Sequence, residues 1–363
     1  MSRAGLDEAR RARVLRAVAV AARIADPADA LGVEARAKLI AVSGLSREGV
    51  ELALSDHLET RPSSEELDAL LASTGGGGAA RCHVVIAANV CTSALRAIAV
   101  ALAVAPSVVV RPSSRDPVLA ELLARELGAD AVFRAAGGSI DLAREIRAEA
   151  GDELHVYGSD QTVDALRRAA NPGVVVRGHG TGLGVAVIGA MLDDRSAARA
   201  VARDVIPFDQ RGCLSPRAVL VEGDAARAIA FGQALHEELL VLSISIPRGE
   251  LDAGALGELA LYRASIEAVG QFWQGDNHAV GVDPAPRALL LPPAARVVHS
   301  VPVSAETAPR LLEPWARYIT AVGADDEGPV VRAIRSRAPN ARFSRLGAMQ
   351  RPPLDGPVDR RPS

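Results

Sequence analysis

Apolar residues recur at helical spacing through the first eighty positions. The stretches "LDEARRARVLRAVAVAARIA" (6–25) and "GVEARAKLIAVSGLSREGVELALSDHLE" (32–59) therefore predict amphipathic helices. The glycine run "STGGGGAAR" (73–81) closes this segment as a loop or hinge. Beyond it the rhythm changes to short apolar runs alternating with helical patterns. "CHVVIAANV", "SVVVRPSS", "AVFRAA", "ELHVYGS" and "GVVVRG" read as strands, separated by helices in "CTSALRAIAVALAV", "RDPVLAELLARELGA", "IDLAREIRAEA" and "DQTVDALRRAA". Strand and helix alternating at this pitch mean βαβ units and a parallel sheet covered on both faces.

A second unit starts near residue 179, with strands "GVAVIG", "RAVLVEG", "RALLLP" and "RVVHSVPV" and helices between 193 and 269. The tail "GAMQRPPLDGPVDRRPS", rich in Pro, Asp and Arg, reads as an extended arm or a disordered end. The expected organisation is a helical segment 1–80, a parallel-sheet unit 81–178, a second α/β unit 179–345 and a Pro-rich tail 346–363.

Composition narrows the function classes. With 363 residues and 49% hydrophobic content the chain can bury a large core. A formal net charge of −3 provides no long-range field for nucleic acid or anionic lipid. The most apolar window, "AIAVALAVAPSVVV", is broken by Pro106 and too short to cross a bilayer, and the amino-terminal stretch lacks the apolar core of a signal peptide. Cys82, Cys91 and Cys213 lack zinc-site spacing, and their odd number suits a reducing cytoplasm. No metal site is expected.

Cys213 has an unusual setting for a structural cysteine: "PFDQRGCLSP" surrounds it with turn formers and polar groups. Ligands of parallel sheets bind beyond the carboxyl ends of strands, which here carry Asn89, then Arg111, Pro112 and Ser113, then Gly158 and Ser159. A Gly-Ser turn feeding a helix offers backbone N–H groups to a phosphate, and an arginine beside hydroxyls can fork onto one. "GHGTGLG" (178–184) is glycine-rich without being a dinucleotide fingerprint.

Taken together and in order, "VVIAANV", "VVVRPSSRDP", "VYGSDQTVDALRRAA", "VVRGHGTGLGVAVI" and "PFDQRGCLSPRAVLVEGD" resemble the LuxC-like fatty acyl-CoA reductases of the aldehyde dehydrogenase superfamily, over roughly residues 80 to 350. The resemblance implies an α/β fold of aldehyde dehydrogenase type: a Rossmann-type cofactor domain, an α/β catalytic domain and a helical amino-terminal segment. It implies Cys213 as the nucleophile that carries an acyl group, with Asn89 and the Cys213 backbone N–H as oxyanion donors. His179, with no acid beside it in "VVRGHGTG", is the candidate acceptor of the thiol proton. Arg111, Pro112 and Ser113 would meet the cofactor ribose and Gly158 and Ser159 its pyrophosphate. The charge of Arg111 leans the cofactor towards NADPH over NADH.

Two departures stand out. Ala88 and Cys91 replace a glycine and a proline around Asn89. No glutamate stands in "VVRGHGTG", where hydrolytic relatives keep their water-activating base. The implied reaction is reduction of an acyl-CoA, or another acyl thioester, to an aldehyde. The alternatives are a CoA-acylating aldehyde dehydrogenase working in reverse and an acyl-carrying subunit without turnover. An acyl-transferring partner protein and a homo-oligomer are compatible with this reading, whereas nucleic acid and an integral membrane segment are not.

Overall fold

The computed structural model describes residues 3–134 and 146–362. Four helices open the chain: α1 (Arg3–Ala25), α2 (Ala30–Val42), α3 (Arg47–Asp56) and α4 (Ser64–Ser73). Asp29, Ser46 and Ser63 cap the last three by accepting a backbone N–H with their side chains. The helical spacing of apolar residues runs on through 32–59, and the chain divides it into α2 and α3 at Gly44, whose φ of +67° a residue with a Cβ adopts only at a cost.

The first sheet contains β1 (Cys82–Ile86), β2 (Val108–Pro112), β3 (Ala131–Phe133), β4 (Glu153–Tyr157) and β5 (Val175–His179), in the order β3-β2-β1-β4-β5, all parallel. Helices α5 (Ser93–Val104), α6 (Val118–Leu127) and α7 (Asp160–Ala169) connect them. Residues 94–104 of α5 are all buried, so the run that reads as too short for a membrane is a core helix wedged between this sheet and α1. The helix expected in "IDLAREIRAEA" falls outside the described residues as far as 145, and residues 146–149 are irregular.

The second sheet contains β6 (Leu183–Ile188), β7 (Pro216–Glu222), β8 (Gln271–Gln274), β9 (Ala279–Val282), β10 (Val297–Val303), β11 (Ile319–Gly323) and β12 (Arg342–Ser344), in the order β12-β11-β6-β7-β10-β9-β8. Its pairings are parallel except β8 with β9. Helices α8 (Asp194–Val205), α9 (Ala225–Ser245), α10 (Ala253–Glu267), α11 (Thr307–Leu312) and α12 (Pro329–Arg337) belong to this half. "RALLLP" is not a strand. Leu289 is buried in the core, but Pro292 and Pro293 follow and cannot donate to a ladder, so the segment crosses the core as irregular chain. None of the described helices is long and apolar enough to cross a membrane.

Two polar constructions hold the halves around Cys213. The first is the turn before it. Phe208, Asp209 and Gln210 have φ values of 55°, 51° and 64°, three consecutive left-handed residues without a glycine, a conformation that costs about 1–2 kcal/mol per residue. Side chains supply the compensation. Asp209 pairs with Arg296 at 2.7 Å, both almost wholly buried, and its other oxygen accepts from the Gly249 N–H at 3.1 Å. The Gln210 amide donates to the carbonyls of Pro216 and Val297 and accepts from the Val297 N–H, each at 2.8 Å. Phe208 enters the amino-terminal core edge-on to His57, and Arg211 donates to the carbonyls of Ser43 and Gly44.

The second is the carboxyl-terminal segment, which packs as a strap. Arg96 of α5 donates to the carbonyls of Pro352, Pro353 and Gly356 at 2.7–2.9 Å. Arg342 of β12 donates to the carbonyls of Pro357 and Val358 and to the Asp355 carboxylate. One anchor belongs to each half, and both arginines are about 4% exposed.

Removing the Asp209 carboxylate strands the buried Arg296 charge. Asp209→Ala should therefore lower unfolding free energy by about 3–5 kcal/mol, against about 1–3 kcal/mol for Gln210→Ala. Urea titration checks this, and a loss below about 1 kcal/mol for Asp209→Ala contradicts the assigned role.

Candidate active site

Cys213 lies in the turn between Gln210 and β7. The Thr320 hydroxyl, on β11, donates to the Cys213 carbonyl at 2.8 Å. Gly182, at the start of β6, approaches so closely that a Cβ there would lie 2.5 Å from Cys213 Cβ, so only glycine fits. Cys82 and Cys91 are buried, while Cys213 alone of the three is half-buried. Burial raises all three thiols: Cys82 well above its ordinary value, Cys91 to about 12 and Cys213 to about 11, where the Thr320 hydroxyl and Arg361 partly offset the rise.

Asn89 is exposed on the loop between β1 and α5. Its neighbour Val90 faces Gly212, whose Cβ, if present, would lie 3.2 Å from Val90 Cγ2. The two loops that carry the expected oxyanion donors thus meet across the boundary between the sheets. Cys91, in place of a proline, packs into the amino-terminal core.

The other expected residues line the carboxyl edge of the first sheet. Strand order places its switch point between β1 and β4, whose following helices leave to opposite sides, the arrangement that opens a crevice for a dinucleotide. Gly158 and Ser159 end β4 there. The Ser159 hydroxyl caps α7 by accepting the Thr162 N–H, and Gly158 N–H donates to the His179 carbonyl. Arg111 and Pro112 end β2, next to β1, and Ser113 N–H donates to the Ile86 carbonyl. A strand-end arginine, hydroxyls and a ten-residue helix starting at the crevice suit a phosphate-bearing cofactor.

His179 differs from the titratable loop histidine expected. It ends β5, stacks on Tyr157 with centroids 4.4 Å apart and meets His155 edge-on at 6.3 Å. Burial lowers its imidazole to about 4, and nearby His155 adds to this. It is neutral at physiological pH, and so weak a base is a poor acceptor for a thiol near 11.

Sequence reasoning also missed the tail. Asp359 and Arg361 lie close enough to act electrostatically on both Cys213 and His179. Arg361 forks onto Asp359 with contacts of 2.7 and 2.8 Å, and its own N–H adds a third at 3.0 Å. Asp160, first in α7, accepts from the Thr181 N–H at 2.7 Å and ties the glycine loop to this cluster. Only the charge density of "DRR" in an otherwise Pro-rich end signals it.

Several solved structures share this fold. A NAD-dependent benzaldehyde dehydrogenase from Corynebacterium glutamicum is similar at 19% identity and a TM-score of 0.68, over 93% of this chain and 82% of that one. A Sinorhizobium meliloti NAD-dependent aldehyde dehydrogenase is similar at 16% and 0.65, over 94% and 74%. An oxidoreductase from Marinobacter aquaeolei is similar at 11% and 0.71, over 97% and 83%. No curated protein sequence matches the chain. A sequence model of the acyl-CoA reductase (LuxC) family matches residues 45–351, beginning upstream of the resemblance read from motifs and taking in α3 and α4. The chain belongs to the LuxC acyl-CoA reductase family and is an oxidoreductase built on the aldehyde dehydrogenase fold.

Proposed function

We propose that the chain reduces an acyl-CoA to the aldehyde through an acyl group carried on Cys213, with NADPH as the preferred cofactor. The observation that supports this best is the meeting of the Cys213 turn with the Asn89 loop at the boundary between the two sheets. The Cys213 sulfur attacks the thioester carbonyl, the bond to the CoA sulfur breaks, and the thiol proton leaves with CoA. The Asn89 amide and the Cys213 N–H donate to the oxygen as it gains charge, and one such donor typically contributes on the order of 3 kcal/mol. Thr320 fixes the Cys213 carbonyl and so steadies the backbone on the far side of the cysteine.

A nicotinamide cofactor fits the crevice at the β1–β4 switch point and, when bound, supplies the hydride that the acyl carbon accepts. Gly158, Ser159 and the start of α7 would hold its pyrophosphate, and Arg111, Pro112 and Ser113 its adenosine ribose, where a cation favours the extra phosphate of NADPH. Once the acyl carbon is reduced, the carbon–sulfur bond to Cys213 breaks, aldehyde leaves, and the thiolate regains a proton. His179, neutral and stacked, serves as a packed wall in this scheme and takes no proton.

Three outcomes are expected. Cys213→Ala abolishes both acyl labelling by a radiolabelled acyl-CoA and aldehyde formation, while Cys82→Ala preserves both. Labelling of the Cys213→Ala protein at the wild-type level rules the assignment out. Arg111→Ala raises the NADPH dissociation constant about tenfold, or about 1.4 kcal/mol, and leaves NADH binding nearly unchanged. Equal losses for the two cofactors would assign Arg111 to the fold. With its thiol held at about 11 by burial, Cys213 of the free protein reacts with iodoacetamide at a rate that climbs about tenfold per pH unit from 7 to 10, because only the thiolate reacts. A plateau below pH 9 contradicts the burial argument.

A further inference from the structure

The last described part of the strap lies against the cysteine site. Val358 packs on the cluster of Leu214, Ala321 and Met349, against which Cys213 also packs. The next residue, Asp359, is 7% exposed, with its oxygens occupied by three N–H groups of Arg361. Arg361 in turn donates to the Arg317 carbonyl at 2.6 Å, just before the strand that carries Thr320. The path leading there is equally fixed. Asp204, fully buried on α8, accepts from the N–H groups of Gly347 and Met349 at 2.7 and 2.9 Å, and Leu354 is buried in the amino-terminal core.

We infer that residues 357–361 are a built wall of the cysteine site, and that this wall keeps water from the acyl group on Cys213. The inference rests on the reading of Cys213 as the acylated residue. Its chemistry is specific. Hydrolysis of the acyl-cysteine forms a carbon–oxygen bond from water, breaks the carbon–sulfur bond and returns a proton to Cys213, so it needs both a water molecule and a base to take that water's proton. Asp359 is the carboxylate the strap brings to the site. Its oxygens are already engaged by three N–H groups of Arg361. Arg361 is thus a positioning residue: it pins the wall to the Arg317 carbonyl and holds the one carboxylate on it. Cys213 remains half-buried with the strap in place, so the wall closes one flank and leaves access for substrate.

The test uses the full chain, a variant ending at Gly356, and Arg361→Ala. The shortened variant keeps Leu354, the Asp355 partner of Arg342 and all three carbonyls held by Arg96. Each protein is treated with iodoacetamide at one pH, and labelling of each cysteine is followed by peptide mass spectrometry. Cys213 should label at least tenfold faster in the shortened chain and severalfold faster in Arg361→Ala, with Cys82 and Cys91 silent in both. An unchanged Cys213 rate with those two cysteines still silent overturns the inference. Should shortening expose Cys82, Arg361→Ala decides alone. With an acyl-CoA and no NADPH, Arg361→Ala, which loosens the wall but keeps the Asp359 carboxylate, should release free acid severalfold faster than the full chain. Release at the wild-type rate, despite faster alkylation, overturns the water-exclusion role. Alkylation reports on the wall whether or not Cys213 carries the acyl group, and Cys213→Ala tests that separately.

Discussion

A carboxylate buried against a guanidinium, Asp209 on Arg296, is the contact on which the rest of the cysteine turn depends. Three left-handed residues in succession are not a conformation that a chain without glycine keeps unaided. The turn persists because its three polar side chains at 209–211 have partners: Asp209 on Arg296 and Gly249, Gln210 on the N–H and carbonyl of Val297, Arg211 on the Ser43–Gly44 carbonyls. An ion pair taken out of water stabilises little by itself. Its value here is conformational, since any slip of the turn would leave a charge buried without its counter-charge. The Asp-Gln of the cysteine motif thus acts on the path of the backbone, while the cysteine two residues beyond Arg211 is left to face the boundary between the sheets.

The same device recurs at the larger scale. Two α/β halves of different strand order share few covalent crossings, and the strap adds a non-covalent one, gripped from the first half by Arg96 and from the second by Arg342. Arg211 adds a third tie, from the cysteine turn to the helical segment. The cation at each tie is an arginine, whose five rigid donors can satisfy several carbonyls at once. Burying such a group without partners would be costly, so each guanidinium enforces the geometry it needs.

Much of this was legible in the sequence because period and chemistry agreed. The strands of the first sheet and the helices between them show in apolar runs bounded by turns, and the candidate chemistry lies where a parallel sheet ends. Legibility failed where a signal was too short or too distant. The strands Ala279–Val282 and Ile319–Gly323 have four and five residues, buried throughout, which gives no alternation to read. "RALLLP" has a strand's composition but prolines where the ladder would need donors. The state of His179 could not be read at all, because it depends on Tyr157, His155 and the tail, all remote in sequence. The tail reads by composition as either an extended arm or a disordered end, and composition alone does not choose between them. Its order comes largely from Arg96 and Arg342, which are remote in sequence and hold its backbone carbonyls, with Asp355 the one strap side chain that both arginines approach.

That last feature bears on how the family can vary. Arg96 donates to three carbonyls of the strap and to the Glu59 carboxylate, and Arg342 donates to two strap carbonyls and one carboxylate. A carbonyl is the same in every residue, so these grips constrain the length of the strap more than its composition. One residue inserted after Pro353 would shift the later carbonyls off their guanidinium partners and carry Asp359 and Arg361 away from the cysteine. Related chains should therefore keep the residue count of this segment more strictly than its composition.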